Sequence, residues 1–276
     1  MKILIAGCGY LGTALGIELA RAGHTVWGLR RKADKPPAPI HALTVDLLQP
    51  QLLKKIPDPL DIACFMLSPQ DHDEAAYRST YQDALMNLLD CLKKRRPLKR
   101  FIFVSSTSVY GQQNGEWVNE NSETHPEHFS GQIMLRSEEL VFESGLASTV
   151  LRLGGIYGPG RSTLLEHVRS GKAVLRGGPP VYVNRIHRDD AVGILTHVLK
   201  LKNPKPVYLG VDHDPAELNT VLTWLADKLN VTLAQSAASD PHSRTRQSNK
   251  RCMNALILQS GYTFKHPTFR EGYAQT

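Results

Sequence analysis

The chain has 276 residues, 41% of them hydrophobic and 21% charged, an ordinary globular balance that argues against disorder. At ~100–200 residues per domain, the length fits one large domain or a domain with a smaller lobe. Lys and Arg number 33 against 26 Asp and Glu, giving a formal net charge of +7. These cations are scattered, and the one dense run, Lys93–Arg96, ends a predicted helix, where it complements the helix dipole. We therefore expect a small anionic ligand and no nucleic-acid partner.

The sequence also argues against a membrane protein and a disulfide-stabilised one. No apolar run approaches the ~20 residues of a membrane helix. The start of the chain is basic and then apolar like a signal peptide, but its recurring glycines and Glu18 predict a strand followed by a helix instead. No two cysteines form a Cys-x-x-Cys pair, so we expect no disulfide framework, no metal site and a reducing, cytoplasmic location. The four cysteines are Cys8, Cys64, Cys91 and Cys252.

Apolar strands alternate with helical patterns through the first half of the chain, which predicts βαβ units. The fold class is therefore α/β, with a Rossmann-type, doubly wound parallel sheet whose two faces are covered. The predicted strands are Ile3–Ala6, His24–Leu29, Thr44–Asp46, Asp61–Leu67, Phe101–Val104 and Ser148–Leu153, and the helices among them are Leu11–Ala22 and Glu74–Lys94.

After Leu153 the pattern changes to Gly- and Pro-rich turns between shorter elements. We predict a nucleotide-binding domain at 1–153, to which 183–204 returns, and a smaller C-terminal substrate lobe at 154–182 and 205–276. The polar stretch 234–249 has few apolar anchors and is predicted to be a mobile loop. The predicted elements are helices Thr163–Ser170, Asp189–Lys200 and Glu217–Leu229 and strand Val207–Gly210.

The turn after the first strand has the pattern Gly-x-Gly-x-x-Gly, formed by Gly7, Gly9 and Gly12. This motif is weak alone, but here it follows a strand and opens a helix. The glycines permit a tight turn, close approach of a pyrophosphate, and close helix–strand packing, and the helix amides would face the phosphates. We predict a dinucleotide site that includes Tyr10 and Leu11. The alternative is a tight strand–helix turn without a ligand.

The end of the second strand distinguishes between the two nicotinamide dinucleotides. An acidic residue there usually binds the ribose 2′-hydroxyl of NAD. Here Arg30, Arg31 and Lys32 follow, and guanidinium groups suit a 2′-phosphate, so NADP is favoured and NAD remains the alternative. The predicted cofactor set is completed by Asp46, Leu47, Leu67 and Ser105.

Three separated segments resemble the extended short-chain dehydrogenase/reductase family, in its NAD-dependent epimerase/dehydratase group. They are the serine segment FIFVSSTSVYG at 101–111, LRLGGIYGPG at 151–160, and NRIHRDDA at 184–191. The resemblance spans nearly the whole chain. It implies a Rossmann fold, a nicotinamide cofactor and an oxidoreductase or epimerase activity. It also admits a homodimer formed through helices near 74–94 and 130–143.

The catalytic set that the family implies is only partly present. Its serine matches Ser106, whose hydroxyl would bind a substrate oxygen. Its Tyr-x-x-x-Lys pair is missing, because Ser130 stands in place of the tyrosine and Met134 in place of the lysine. A serine is far less acidic than a tyrosine, whose free pKa is near ~10, and it needs a nearby base to exchange protons. This departure resembles the atypical members of the family.

Three polar residues could serve the reaction instead. Besides Ser106, Ser130 is a candidate proton relay, with a helix cap as the alternative, and Tyr110 either faces the pocket or packs. We interpret His125 and His128 as loop residues, with a base as the alternative. For the substrate, the resemblance implies anion contacts from basic residues of the lobe, of which we select Arg161, Arg185 and Arg251.

Two functional classes fit these observations. One is an NADP-dependent oxidoreductase or epimerase that acts on a small sugar-like alcohol or carbonyl, such as a sugar nucleotide. The other is an NADP(H) sensor or scaffold that kept the fold and lost catalysis. The missing tyrosine and lysine favour the sensor, whereas the retained Ser106 favours the enzyme.

Overall fold

The computed structural model describes residues 1–31, 36–236 and 248–274. The strands are β1 (Lys2–Ala6), β2 (Thr25–Arg30), β3 (His41–Thr44), β4 (Ile62–Phe65), β5 (Arg100–Ser106), β6 (Glu116–Val118), β7 (Ser148–Leu153), β8 (Gly155–Tyr157), β9 (Val174–Arg176), β10 (Arg185–His187), β11 (Val207–Gly210), β12 (Ala234–Ser236) and β13 (Lys250–Cys252). The helices are α1 (Tyr10–Arg21), α2 (Glu74–Arg78), α3 (Ala84–Lys93), α4 (Phe129–Glu143), α5 (Thr163–Arg169), α6 (Arg188–Lys200), α7 (Leu218–Leu229), α8 (Ala255–Gln259) and α9 (Phe269–Ala274).

A seven-stranded sheet forms the centre of the fold, in the order β11-β7-β5-β4-β1-β2-β3. Strand β1 pairs in parallel with β2 on one side and β4 on the other. Its side chains from Ile3 to Ala6 are fully buried, as expected for a strand covered on both faces. The predicted α/β class and doubly wound parallel sheet are confirmed.

Two predicted elements differ from the structure by more than a shift of one or two residues at their ends. The third strand is His41–Thr44 rather than Thr44–Asp46, because these residues pair with Trp27–Arg30 of β2. The long helix predicted over Glu74–Lys94 is interrupted by a π-helical turn at Ser79–Asp83. A π turn widens the helix locally, and the Tyr81 carbonyl within it accepts a hydrogen bond of 2.7 Å from the Ser137 hydroxyl of α4.

The chain divides into two compact units. The first comprises Met1–Val109, Pro126–Arg152 and Val192–Tyr208, and the second Tyr110–His125, Leu153–Ala191 and Leu209–Thr276. Small parallel pairings within the second unit join β8 to β10, β9 to β12, and β6 to β13. Its core packs α5, α7 and α9 together through fully buried side chains such as Val168, Val221 and Phe269.

The polar stretch 234–249 is only partly a loop. Its first three residues form β12, which pairs with β9. Residues 237–247 lie outside the described part of the chain, so the prediction of a mobile loop there is not tested. Within the described ranges, no helix combines the length and apolar character needed to cross a bilayer.

Candidate functional site

The glycine-rich turn between β1 and α1 leaves no room for side chains at two of its three glycines. Gly7 has φ +99°, and a Cβ there would lie 2.6 Å from the Leu67 backbone nitrogen. A Cβ on Gly12 would lie 2.4 Å from the Gly7 carbonyl oxygen. At Gly9, in contrast, a Cβ would meet no atom of the described residues within 4 Å. The turn is therefore closed against its own sheet and open at Gly9, where a ligand's phosphates can approach the backbone.

Helix α1 begins directly after this opening. Its N-cap is Gly9, which has no side chain to cap the first amides, and the first turn contains no acidic residue. The helix dipole makes this end attractive to an anion. The structure thus offers a Gly-lined approach next to a positive helix end, the arrangement that holds a pyrophosphate.

Arg30 folds back from the end of β2 onto the same turn. Its Nε donates a hydrogen bond to the Cys8 carbonyl, and its Nη2 donates one of 2.9 Å to Thr13 Oγ1. Arg31 is exposed, and Lys32 lies outside the described residues. A guanidinium is therefore fixed beside the glycine turn, where the sequence predicts the adenosine end of a cofactor.

The other predicted cofactor residues follow the carboxyl ends of neighbouring strands. Asp46 Oδ1 accepts a 3.0 Å hydrogen bond from the Leu48 amide, so this carboxylate shapes the turn after β3. Leu47 is buried, and its carbonyl accepts a 2.9 Å hydrogen bond from Asn87. Leu67 is half-buried and adjoins Gly7.

Ser105 belongs to a buried polar cluster. Its hydroxyl donates a 2.5 Å hydrogen bond to Glu138 Oε1. Glu138 in turn forms a salt bridge with Arg152, with Nη2 2.7 Å from Oε2 and both side chains less than a tenth exposed. The Ser105 side chain is thus engaged inside the protein, and a contact with the cofactor would be left to its backbone.

The turn that follows β5 packs against the start of α4. Ser106 Oγ accepts a 3.1 Å hydrogen bond from the Ser108 amide. The Ser108 carbonyl lies against the start of α4, only 2.4 Å from where a Cβ on Gly131 would be. Gly131 immediately follows Ser130, so the close approach that glycine permits brings these two serine segments together.

The amino-terminal cap of α4 is His128, and the alternative interpretation of Ser130 as the cap is wrong. His128 Nδ1 accepts a hydrogen bond from the Ser130 amide, because the helix begins one residue earlier than the serine. The same Nδ1 lies 2.8 Å from Ser130 Oγ. One turn later Met134 is buried and brings no charge to this region.

Tyr110 packs in the second unit. It is 2% exposed, and its hydroxyl donates a 2.8 Å hydrogen bond to the Asn119 carbonyl. That bond satisfies the donor of a buried phenol, as packing requires. Of the two alternatives for Tyr110, this geometry supports packing.

The three basic residues chosen for a substrate differ in their surroundings. Arg161 is exposed on the turn after β8. Arg251 is stacked between two aromatic rings, 4.8 Å from Trp117 and 4.7 Å from Tyr182, and its Nε donates to the Gly115 carbonyl. The planar guanidinium suits such stacking.

Arg185 adjoins a buried carboxylate. Its Nη1 donates to the Tyr273 hydroxyl at 3.3 Å, while its Nε is buried without a hydrogen-bond partner among the described residues. Nearby, Asp212 is 2% exposed, and its Oδ2 also has no partner there. Burial raises the pKa of Asp212 well above its usual range, against the lowering effects of the Asp214 amide and Arg185. The sequence does not identify Asp212 as a site residue, because only the burial of its carboxylate distinguishes it from other acidic residues.

Asp212 should make stability depend on pH. Its raised pKa means that the folded protein binds the proton more tightly than the unfolded chain, so stability is greatest below about pH 4 and falls as pH rises from there toward the raised pKa. Asp212→Asn keeps the oxygen that accepts from the Asp214 amide and cannot ionise. In urea unfolding at pH 5 and pH 8, we expect the variant to gain stability relative to the wild type as pH rises. An unchanged difference would contradict this assignment.

His187, Asp190 and His266 lie within 4.8 Å of one another and are buried. Their hydrogen bonds indicate a structural network, because Asp190 accepts from the amides of Lys265 and His266 at 2.7 and 2.9 Å and from the Tyr262 hydroxyl at 2.9 Å. Burial and the neighbouring His266 lower the pKa of His187. This network fixes the turn into α6.

Comparisons with known proteins agree with this architecture. A profile of the NAD dependent epimerase/dehydratase family matches residues 3–206. A structure from Methylobacillus flagellatus, described as a candidate NAD-dependent epimerase/dehydratase, is 35% identical with a TM-score of 0.80 and covers 99% of this chain and 96% of that one. Protein YeeZ of Escherichia coli K12 is 27% identical over 218 residues, 75% of this chain and 76% of YeeZ.

More distant structures share the fold. UDP-glucuronic acid 4-epimerase from Bacillus cereus, solved in complex with NAD, is 18% identical with a TM-score of 0.82, covering 99% of this chain and 96% of that one. A doubly wound parallel sheet with a glycine-rich turn before its first helix defines a Rossmann-type, nucleotide-binding class of protein. Within that class, the chain belongs to the NAD dependent epimerase/dehydratase family, and the resemblance to extended short-chain dehydrogenases/reductases is confirmed.

Proposed function

We propose that the protein is an NADP-dependent oxidoreductase or epimerase that acts on an alcohol or carbonyl of a small anionic substrate, of which a sugar nucleotide is the leading candidate. The observation that carries the proposal is the open approach at Gly9 beside the uncapped start of α1, with Arg30 fixed against the same turn. Family membership supports the reaction class.

The residues of the turn fit a dinucleotide. Gly9 and the first amides of α1 would hold the pyrophosphate, and Arg30 with Arg31 would bind the 2′-phosphate. Asp46 and Leu47 would border the adenine, and the cofactor set would extend over the rest of the predicted residues. These are Gly7, Tyr10, Leu11, Gly12, Leu67 and Ser105. When bound, the nicotinamide ring accepts or donates a hydride.

The chain's own part in the chemistry falls to two serines. Ser106 Oγ would donate a hydrogen bond to the reacting oxygen of the substrate, and Ser130 Oγ would exchange a proton with it. The lowered acidity of a serine relative to a tyrosine predicts slow turnover.

For the substrate, Arg161, Arg185 and Arg251 would supply positive charge to a phosphate or carboxylate. The reported complex of the Bacillus cereus relative with UDP-glucuronic acid and NAD supports this substrate class.

Arg30→Ala tests the cofactor preference. We expect the ratio of NADH to NADPH dissociation constants to fall by about tenfold or more, because a charge-assisted contact with the 2′-phosphate contributes about 1.4 kcal/mol or more. Fluorescence titration with both cofactors measures this ratio. Arg31→Ala is the companion variant for the exposed neighbour.

The ratio of the two dissociation constants distinguishes a lost contact with the 2′-phosphate from a general loosening of the turn. Since Arg30 also bonds the Cys8 carbonyl and Thr13, its loss can loosen the turn and weaken both cofactors alike. A loss of equal size for NADPH and NADH would therefore refute the 2′-phosphate contact while leaving the site itself intact.

A panel of UDP-sugars, UDP-uronic acids and small carbonyls, tested with NADP(H) and NAD(H), examines the reaction. We expect a slow change in nicotinamide absorbance or an epimerised product with at least one sugar nucleotide. Absence of turnover across the panel, with the cofactor bound, would refute the enzymatic proposal.

That outcome would favour the second candidate, an NADP(H) sensor. It is supported by Met134, which is 4% exposed and places an apolar side chain where the family's lysine would hold the ribose. A sensor predicts that cofactor binding changes a protein–protein interaction and that no metabolite oxidises bound NADPH.

A further inference from the structure

His128 contacts Ser130, the serine that stands in place of the family's tyrosine. Its Nδ1 is 2.8 Å from Ser130 Oγ, a hydrogen-bond distance, on the first turn of α4. From the sequence, His128 was predicted to be a loop residue, with a base as the alternative. Its contact with Ser130 favours the alternative.

The hydrogen bonds fix which ring nitrogen of His128 carries the proton. The Ser130 amide donates to Nδ1 at 3.3 Å, and an amide can only donate. In the neutral ring, Nδ1 must therefore be the unprotonated nitrogen, and the proton resides on Nε2. It follows that Ser130 Oγ–H is the donor toward Nδ1 and that this nitrogen can accept its proton.

The surroundings hold the pair in place. Phe129 stacks on the His128 ring at 4.3 Å between centroids and meets the edge of Tyr77 of α2 at 5.4 Å. The carbonyl of His128 accepts from the Gly131 and Gln132 amides at 3.0 and 3.1 Å. The histidine is exposed, so its far side can exchange protons with water.

We propose that His128 is the base that makes Ser130 competent, so that the two form a proton relay in place of the missing tyrosine–lysine pair. This inference rests on the proposed function. In the oxidative direction the substrate O–H proton passes to Ser130 Oγ while the Oγ–H proton of Ser130 passes to His128 Nδ1. At the same time the substrate C–H bond breaks, and its hydrogen leaves with the electron pair, as hydride, to the nicotinamide that the enzyme would bind. The reverse direction returns the same proton to the carbonyl oxygen.

The first test needs no substrate. Nitrogen-15 NMR of the histidine rings in the wild type and in Ser130→Ala reads the tautomer and hydrogen bonding of His128. We expect an unprotonated Nδ1 whose resonance shifts when the Ser130 hydroxyl is removed. A proton on Nδ1, or a resonance that does not change in Ser130→Ala, would refute the hydrogen bond between His128 and Ser130.

The second test uses the substrate that the panel identifies. His128→Asn retains a side-chain oxygen that accepts from the Ser130 amide, so the cap and the melting temperature should persist, but it cannot take up a proton. We expect kcat to fall about 100-fold with KM and the cofactor dissociation constant unchanged, and added imidazole to restore part of the rate to His128→Ala. His125→Asn is the matched control, because His125 is exposed and its ring lies 3.7 Å from the carboxylate of Glu123.

The outcomes separate the two claims. An active wild type with a fully active His128→Asn variant would overturn the relay and leave the proposed function standing. An inactive wild type would overturn the proposed function and the catalytic role with it, while the NMR result still decides whether the hydrogen-bonded pair exists.

Discussion

Arg152→Met is expected to lower the free energy of unfolding by about 3–5 kcal/mol. Arg152 is the cationic partner of Glu138, to which it donates from Nη2 at 2.7 Å and from Nε at 3.0 Å. Both side chains are nearly fully buried, so the variant would leave a carboxylate without its counter-charge inside the protein. Urea unfolding of the wild type and the variant measures the difference.

Two further variants distinguish this effect from a general loss of packing. Glu138→Met combined with Arg152→Met removes both charges and should recover more than half of the loss, because the cost comes from the uncompensated charge. Arg136→Met removes an arginine of α4, the helix that carries Glu138. Arg136 pairs with Glu139 and Glu143 at a half-exposed site, so its loss should change stability little. An Arg152→Met variant as stable as Arg136→Met would contradict the account.

Gly9→Val is expected to weaken NADPH binding on the order of 100-fold while leaving stability nearly unchanged. A Cβ at Gly9 meets no atom of the described residues within 4 Å, so the side chain would extend into the open approach where we propose that the pyrophosphate binds. Fluorescence titration and urea unfolding of the same preparation measure the two effects.

Gly12→Ala provides the contrast within the same motif. Its Cβ would lie 2.4 Å from the Gly7 carbonyl oxygen, so α1 must shift against the sheet. We expect this variant to lose stability and cofactor affinity together. If Gly9→Val bound NADPH as tightly as the wild type, the phosphates would not approach the backbone at this turn.

The central sheet was predictable because its strands have strong local signals. A strand such as Ile3–Ala6, buried on both faces, is continuously apolar, and the glycine pattern marks the turn that follows it. The third strand was misplaced because His41–Thr44 is mostly exposed and has little apolar pattern. Its position is set by pairing with β2, which local sequence does not report.

The π turn at Ser79–Asp83 was hidden for a similar reason. The apolar periodicity resumes in α3, where Leu85, Leu88 and Leu92 are buried, so the whole stretch resembles one helix. The pairing of β6 with β13 joins Glu116–Val118 to Lys250–Cys252, and such distant partners leave no local signal.

The candidate site residues could be proposed from the sequence where residue type alone indicates the chemistry. The glycines, Arg30 and Ser130 were selected in this way. The hydrogen bond between Ser130 and His128 was not predicted, because it depends on where α4 begins. The buried carboxylate of Asp212 was missed since a polar residue in a turn-rich segment gives no sign of its burial.

Parallel fluorescence titration of the purified protein with NADPH and NADH tests the central claim most directly, namely that the glycine turn and Arg30 form an NADP site. We expect saturable binding of NADPH with an affinity at least about tenfold higher than that of NADH. Equal binding would place Arg30 away from the 2′-phosphate. Binding of neither cofactor would contradict the claim that this turn holds a dinucleotide.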